Sequence, residues 1–299
     1  MRLWSSAPAL LLLTGLLLGL TLPLGRAAAA QGVSPFAWAF ALSGGAALLL
    51  APALLAQTGA RFPDLHRWRY FAVAAAVSYA LPNLLLFTVM PHVGTGYAGI
   101  MYTLSPIFTL LFAGMLGFRR PGWMGIAGIA AGFLGAVLVA LSRGGLGQPA
   151  ALGWIALAMA VPVLLAAGNV YRTLDWPKGA GAVELAVGCH GVSAVLLAAC
   201  SLPAAGGLGL ADLSRVPWLT VAQVASAAAM FPVYFRLQQV GGPVYLSQIG
   251  YVAAAVGLAF GTLAFAEHYP LSAWAGAGLI VLGVVLTTLG QVRAVAKQG

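Results

Sequence analysis

Runs of apolar residues about 20 positions long recur ten times along the chain, separated by short polar segments. A helix needs about 20 apolar residues to cross the hydrocarbon core of a bilayer. The pattern therefore predicts ten transmembrane helices, with successive helices antiparallel because the connections are short. The predicted spans are 7–24, 35–56, 69–90, 94–117, 122–141, 151–171, 182–202, 217–237, 243–266 and 272–292.

The chain also contains an internal repeat with a period of 148 residues. The shift places like residues on one another without a gap: Gly94 on Gly242, Tyr97 on Tyr245, Phe112 on Phe260, Gly128 on Gly276 and Gly135 on Gly283. Residues 1–146 and 147–299 would each form one five-helix repeat of a single membrane domain. Because five is odd, the second copy must enter the membrane inverted. Inverted repeats are typical of transporters with a substrate site between the halves.

Composition supports a membrane protein, since 62% of the residues are apolar and only 6% are charged. Soluble domains carry about 25% charged residues. The net charge of +9 does not indicate nucleic-acid binding, because the basic residues are scattered between apolar spans. No metal-ligand spacing, phosphate-binding loop or nucleophile motif occurs in the sequence. We therefore expect no cofactor, no metal site and no enzymatic activity.

The distribution of basic residues predicts the orientation, because cytoplasmic loops are enriched in Lys and Arg. With the N-terminus inside, the inner segments hold 11 basic residues and the outer segments 3. Both termini are therefore predicted to be cytoplasmic. The inner residues are Arg2, Arg61, Arg67, Arg69, Arg119, Arg120, Arg172, Lys178, Arg236, Arg293 and Lys297, and the outer ones are Arg26, Arg143 and Arg215.

The start of the chain has a second interpretation. Arg2, the leucine run to Leu20 and Ala28-Ala29-Ala30 resemble a secretory signal with a small-residue cleavage site. A signal has an apolar region of about 7–15 residues, and this run is longer. We therefore expect the first helix to be retained.

Two long stretches carry a family resemblance. The first copy contains NLLLFTVMPHVGTGYAGIMYTLSPIFTLLFAGMLG followed by GIAGIAAGFLGAVLVAL, and the second contains RLQQVGGPVYLSQIGYVAAAVGLAFGTLAFAEHYPLSAWAGAGLIVLGVVL. The chain resembles the EamA-like branch of the drug/metabolite transporter superfamily, which places an acid at the end of helix nine, here Glu267. The first copy departs from this pattern, with Arg119 at the equivalent position.

The resemblance implies an all-α membrane protein with ten transmembrane helices as two inverted five-helix repeats. It also implies that helices one to four and six to nine surround a central cavity, with five and ten outside. Family members move amino acids, sugars, nucleotide sugars and drugs, so the resemblance does not define the substrate. The glycines of helices five and ten favour close helix packing, either inside the protomer or at a dimer contact.

Polar and aromatic side chains recur at helical spacing inside the predicted spans. Such groups are costly at membrane depth and often face a transport pathway. Helix eight carries Gln223, Ser226, Met230 and Tyr234 on one face. The alternative is that they form interhelical contacts or interfacial aromatic belts. The predicted substrate-binding residues are Tyr79, Asn83, Tyr97, Met101, Ser105, Asn169, Tyr234, Tyr245, Gln248 and Tyr251.

Glu184 and His190 are the two ionisable residues that lie clearly within predicted spans, and both are candidates for proton coupling. They are six positions apart, about 240° around a helix, so they do not share a face. Glu184 sits at the membrane boundary, where it can extend to the interface. His190 lies deeper, and an unperturbed histidine titrates near physiological pH.

These features predict a secondary transporter of the inner membrane that works by alternating access and exports small metabolites, with amino acids as the first candidates. The cavity looks uncharged and aromatic. The repeat places Tyr97 near the outer mouth of the cavity and Tyr245 near the inner mouth. The two tyrosines would either close these mouths as gates or face the lipid as interfacial anchors. Partners would be a small-molecule substrate, the bilayer and protons, in a monomer or homodimer. The alternatives are an organic-cation or drug exporter, a non-transporting scaffold and an intramembrane enzyme.

Overall fold

The computed structural model describes residues 6–58, 63–93, 95–118, 121–142, 152–256 and 270–296. In these ranges the chain is helical, with turns and no strand. Arg119 and Glu267 lie outside the described residues, as do the side chains of Tyr97 and Met101.

Ten helices follow one another in the order that the apolar runs predict. The third combines Leu65–Ala74, a π-helical segment Ala75–Ala80 and Leu81–Val93, which together form α3. The others are α1 (Ala7–Ala30), α2 (Pro35–Thr58), α4 (Thr95–Met115), α5 (Trp123–Ser142), α6 (Leu152–Leu174), α7 (Ala182–Ala205), α8 and α9 (joined in Pro217–Leu246, with α9 described to residue 256) and α10 (Leu271–Ala296).

Length and hydropathy identify seven membrane spans within the described residues, with mean hydropathies between 1.3 and 2.0. They correspond to α1, α2, α3, α6, α7, α8 and α10. Two shorter apolar helices, Tyr102–Met115 and Trp123–Val139, correspond to α4 and α5. The prediction of an all-α membrane protein is therefore confirmed.

The joint between α8 and α9 is a single glycine. Gly242 has φ 73° and ψ 178°, a conformation that interrupts the helix. A residue with a Cβ adopts such a positive φ at a steric cost, so glycine suits this position. The following Pro243 begins the first turn of α9, and the chain changes direction without a loop.

Helix packing follows the internal repeat. The pairs α2–α7 and α5–α10 each contain the two equivalent helices of the repeats. The pair α1–α8 becomes α6–α3 under the 148-residue shift, and α3 does pack against α6. This exchange is what a pseudo-two-fold axis produces. The predicted boundary at 146/147 lies outside the described residues, so the division into 1–146 and 147–299 stays a prediction.

Helices α5 and α10 cross through glycines. A Cβ added at Gly135 would lie 2.5 Å from the carbonyl oxygen of Gly276, and one at Gly128 would lie 2.6 Å from that of Gly283. The shift of 148 exchanges these two contacts with each other. The sequence left open whether these glycines pack inside the protomer or at a dimer contact. The structure shows that they make contacts inside the protomer.

Candidate substrate cavity

A cavity of about 60 Å³ lies in the centre of the helix bundle, between α1, α2, α3, α4, α6, α8 and α9. None of the described residues of α5, α7 or α10 lines it. The resemblance implied that helices five and ten lie outside, as they do here, but it also implied that helix seven belongs to the wall. The wall residues are Leu18, Thr21, Leu42, Ser78, Tyr79, Asn83, Tyr102, Ser105, Leu165, Asn169, Met230, Phe231, Tyr234, Ser247, Ile249 and Gly250.

Half of the predicted substrate-binding residues meet at this cavity: Tyr79, Asn83, Ser105, Asn169 and Tyr234. All five are buried. They come from four helices, so the structure brings together side chains that are distant in the sequence. Met230, one turn before Tyr234 on α8, also lies in the wall. The side chains of Tyr97 and Met101 lie outside the described residues.

In this conformation the polar stripe on α9 does not line the cavity, so its place in a substrate site stays a prediction. The Tyr245 hydroxyl is 2.8 Å from Thr288 Oγ1, and Thr287 Oγ1 donates a 2.7 Å hydrogen bond to Gln248 Oε1. The Tyr251 hydroxyl donates to the Ile129 carbonyl oxygen on α5. These side chains thus satisfy their polar groups against α10 and α5.

Tyr245 was also predicted to close one mouth of the cavity or to face the interfacial lipid. It is 5% exposed and bonded to α10. In this conformation neither role describes it.

The functional residue that the sequence did not reveal is Arg172. It was counted as a loop cation because the predicted helix ended at Tyr171. The observed helix continues to Leu174, and Arg172 is fully buried in the bundle. Without Arg172 the inner segments hold 10 basic residues instead of 11, and the outer segments still hold 3. The excess of basic residues on the inner side, which predicts the orientation, therefore remains.

The guanidinium of Arg172 ties α6 to α8 beside the cavity wall. Its Nε donates a 2.9 Å hydrogen bond to Gln238 Oε1, and its Nη2 donates a 2.7 Å bond to Asn169 Oδ1. Nη2 also donates to the Tyr234 hydroxyl. Asn169 and Tyr234 are wall residues, so a positive charge lies directly behind them. None of the described wall residues is charged, so the cavity keeps the uncharged, aromatic wall that was predicted, with a buried charge behind it.

Two aromatic rings flank the same charge. The guanidinium carbon is 5.1 Å from the Tyr234 ring centroid and 5.4 Å from that of Tyr79. At such distances the negative face of an aromatic ring attracts a cation. The two rings line the cavity as well, so the aromatic wall and the buried charge form one unit.

Ser78 and Tyr79 belong to the π-helical segment of α3. π-Helical turns are rare and are frequent at functional sites, because the extra residue changes which side chains face a neighbouring helix. Here the segment places consecutive side chains, Ser78 and Tyr79, in the same cavity wall.

His190 also packs against Tyr79. Its ring centroid is 4.4 Å from that of Tyr79 and 3.7 Å from that of Phe231. Its Nδ1 is 3.3 Å from Ser43 Oγ, while Nε2 has no hydrogen-bond partner among the described residues. Tyr79 therefore contacts both His190 and Arg172.

Glu184 lies far from these groups, at the start of α7. Its Oε1 forms a 2.9 Å ion pair with Arg67 Nε, and its Oε2 accepts a bond from the Gly181 amide. A carboxylate in the first turn of a helix also interacts favourably with the helix dipole. These contacts explain Glu184 as a residue that fixes α7 against α3.

A second ionic cluster lies on the same face of the bundle, around Asp175 at the end of α6. Its Oδ1 is 2.6 Å from Arg69 Nη2 and 3.1 Å from His66 Nε2, and its Oδ2 accepts a 2.7 Å bond from Tyr171. Burial alone would raise the pKa of Asp175. The hydrogen bonds from Tyr171, His66 and Arg69 outweigh burial and lower the pKa below its ordinary value.

No group of three or more His, Cys, Asp or Glu side chains in the described part of the chain could hold a metal ion. The cavity wall instead offers hydroxyl and amide groups, aromatic faces and one neighbouring cation. Such a set can orient a small polar molecule but offers no nucleophile paired with a base.

Comparisons with known proteins agree with this arrangement. The model of the EamA-like transporter family matches residues 5–141. The uncharacterized inner membrane transporter YedA of Escherichia coli K12 is 31% identical over 265 residues, which cover 84% of this chain and 81% of YedA. A probable terminal-alkyne amino-acid exporter of Streptantibioticus cattleyicolor is 29% identical over 132 residues, 44% of this chain and 42% of that exporter.

A solved crystal structure superposes with a TM-score of 0.74, covering 97% of this chain and 99% of the other. Its sequence identity of 21% makes this a likeness of fold alone. The identity with YedA extends over most of both chains, and the family model covers the first copy of the repeat. The chain therefore belongs to the EamA-like transporter family, within the drug/metabolite transporter superfamily.

Proposed function

We propose that the protein is a secondary transporter of the inner membrane that exports small metabolites, amino acids above all, by alternating access. The central cavity between the two predicted repeats carries this proposal. At about 60 Å³ it is much smaller than the roughly 300–1,000 Å³ of ordinary ligand pockets, as a nearly closed stage of the transport cycle would be.

The cavity wall favours a small zwitterion. Asn83, Asn169 and Ser105 supply hydrogen-bonding groups, while Tyr79 and Tyr234 supply aromatic faces. The relative from Streptantibioticus cattleyicolor, named as an amino-acid exporter, supports the same substrate class. The location of YedA supports the inner membrane.

The buried charge of Arg172 weighs against the second candidate, an exporter of organic cations. Two like charges repel strongly where little water screens them. A cationic substrate in this cavity would be separated from the guanidinium only by Asn169 and Tyr234. A scaffold or an intramembrane enzyme is disfavoured by the family to which the chain belongs.

For proton coupling, His190 is the stronger of the two candidates. It contacts the cavity residues Tyr79 and Phe231, and its Nε2 is unpartnered among the described residues. Glu184 is instead engaged by Arg67. A proton bound at His190 would thus lie next to two side chains of the cavity wall.

Counterflow in proteoliposomes tests the proposal. Vesicles loaded with each unlabelled amino acid should accumulate the same labelled amino acid for at least one member of the panel. Protein-free vesicles and vesicles loaded with a membrane-impermeant organic cation such as tetraethylammonium serve as controls. Flux of the cation without flux of any amino acid would contradict the proposed substrate class, and no flux of any compound would contradict transport itself.

A further inference from the structure

We propose that Nη1 of Arg172, together with the hydroxyl of Ser78, binds the carboxylate of the transported substrate. The inference rests on the proposed function and names the chemical group that the cavity selects. It assigns the negative end of the substrate to one side of the cavity, between α3 and α6.

The donors of Arg172 are used unevenly. A guanidinium has five N–H donors and no acceptor. Nε donates to Gln238, and Nη2 donates to both Asn169 and Tyr234. Nη1 is buried and has no hydrogen-bond partner among the described residues. Its two N–H groups are therefore available to an acceptor that enters from the cavity.

The positive charge is also uncompensated. Arg172 is fully buried, and no carboxylate of the described residues pairs with it. The described acids are engaged elsewhere: Asp64 and Glu184 beside Arg67, Asp175 beside Arg69 and His66, and Asp212 beside Arg215. Leaving a buried charge unpaired is strongly unfavourable, and a carboxylate in contact with it relieves this cost.

Ser78 connects the charge to the cavity. A Cβ placed on Gly168 would lie 3.2 Å from Arg172 Nη1 and would clash with Ser78 Oγ. Ser78 Oγ and Arg172 Nη1 therefore both lie beside Gly168. A side chain at this position would occupy the space between the two atoms. Ser78 lies in the cavity wall, and its Oγ likewise has no partner among the described residues. Two unpartnered donors thus meet beside Gly168, and one of them, the Ser78 hydroxyl, belongs to a residue of the cavity wall.

The direction of the side chain excludes a purely interfacial role for Arg172. An arginine near a helix end normally extends towards the interface to reach water. Here the guanidinium bonds Asn169, one turn earlier in α6, so it points back into the bundle. The repeat strengthens this assignment, because the equivalent position in the first copy is Leu24 (172 − 148 = 24). The charge belongs to one half only.

The test compares an acid with its neutral analogue. Binding to purified protein is measured by thermal shift and by competition for counterflow, using the amino acid with the largest counterflow and its carboxamide. Wild type should prefer the acid by about ten- to a hundredfold, the range of a charge-assisted hydrogen bond. Ser78→Ala should reduce binding of the acid severalfold and leave binding of the amide unchanged.

Arg172→Gln should bring the preference of acid over amide close to one. Arg236→Gln, on the exposed end of α8, removes one positive charge elsewhere and should retain the wild-type preference. If Arg172→Gln does not fold, Ser78→Ala alone decides the outcome, since its hydroxyl makes no bond that stabilises the described structure.

Two results separate failure of this inference from failure of the proposed function. Counterflow of amino acids with equal affinity for acid and amide would overturn carboxylate recognition and leave transport standing. An unchanged preference of acid over amide in Ser78→Ala and Arg172→Gln would assign the carboxylate to other residues. Absence of counterflow for every amino acid would reject both.

Discussion

The α5–α10 pair keeps the symmetry of the internal repeat, whereas the cluster around Arg172 departs from it. Gly128, Gly135, Gly276 and Gly283 make contacts that the repeat exchanges, and there the backbones of the two helices meet. Around Arg172 the symmetry is lost, because Asn169, Tyr234 and Gln238 correspond to Thr21, Leu86 and Met90 in the first copy. The symmetric contacts join the two helices, whereas the substrate chemistry that we propose rests on residues of one half.

The largest expected effect is in the symmetric pair. Gly283→Leu should destabilise the protein by about 1–3 kcal/mol or more, because the side chain would enter space held by the α5 backbone. Gly278→Ala, on the same helix with nothing within 4 Å, is the matched control and should be neutral or slightly stabilising. Thermal unfolding in detergent measures both, and equal melting temperatures would mean that the crossing does not hold α5 to α10.

In the asymmetric cluster, His190→Gln should abolish uptake driven by a pH gradient and preserve counterflow at equal pH. The amide retains a hydrogen-bonding group near Ser43 but cannot carry a proton. Proteoliposomes with and without a pH gradient provide the measurement. A mutant that responds to the gradient as wild type does would place coupling elsewhere.

Paired tyrosine variants compare the two regions directly. Tyr234→Phe removes a hydroxyl that bonds Arg172 and Asn169, so counterflow should fall about tenfold while the fold is retained. Tyr251→Phe removes the bond to the Ile129 carbonyl and should lower stability by about 1 kcal/mol with little change in counterflow. The reverse pattern of effects would refute the division between chemistry and scaffold.

The smallest effect concerns Asp175, outside both regions. Its folded-state pKa is lowered, so its contribution to stability is present above the unfolded pKa of about 3.9 and is lost as pH falls through the folded value. Melting temperatures should therefore decrease below about pH 4. The total decrease should be smaller in Tyr171→Phe, because losing one hydrogen bond brings the folded pKa closer to the unfolded one. An identical acid profile in the variant would show that this bond does not set the pKa.

The helices were predictable because lipid requires long apolar runs, and the repeat was visible because both copies use the same glycines. Arg172 was missed because its apolar helix was ended at Tyr171, and sequence spacing does not show whether a terminal arginine points outwards or inwards. The stripe of Tyr245, Gln248 and Tyr251 contacts α10 and α5 in this conformation, which its spacing in the sequence does not show. Its partners on α10, Thr287 and Thr288, look like ordinary residues of an apolar span.

The one-residue joint at Gly242 has a consequence for helical phase. Adding a single residue in the first turn of α9 would rotate the residues after it by about 100° around the helix axis. Ser247 and Gly250 would leave the cavity wall, and the bonds of Tyr245 and Gln248 to α10 would break together. A flexible loop between two helices can accommodate an added residue, but here Gly242 alone joins α8 to α9. Its length therefore decides which face of α9 the cavity meets.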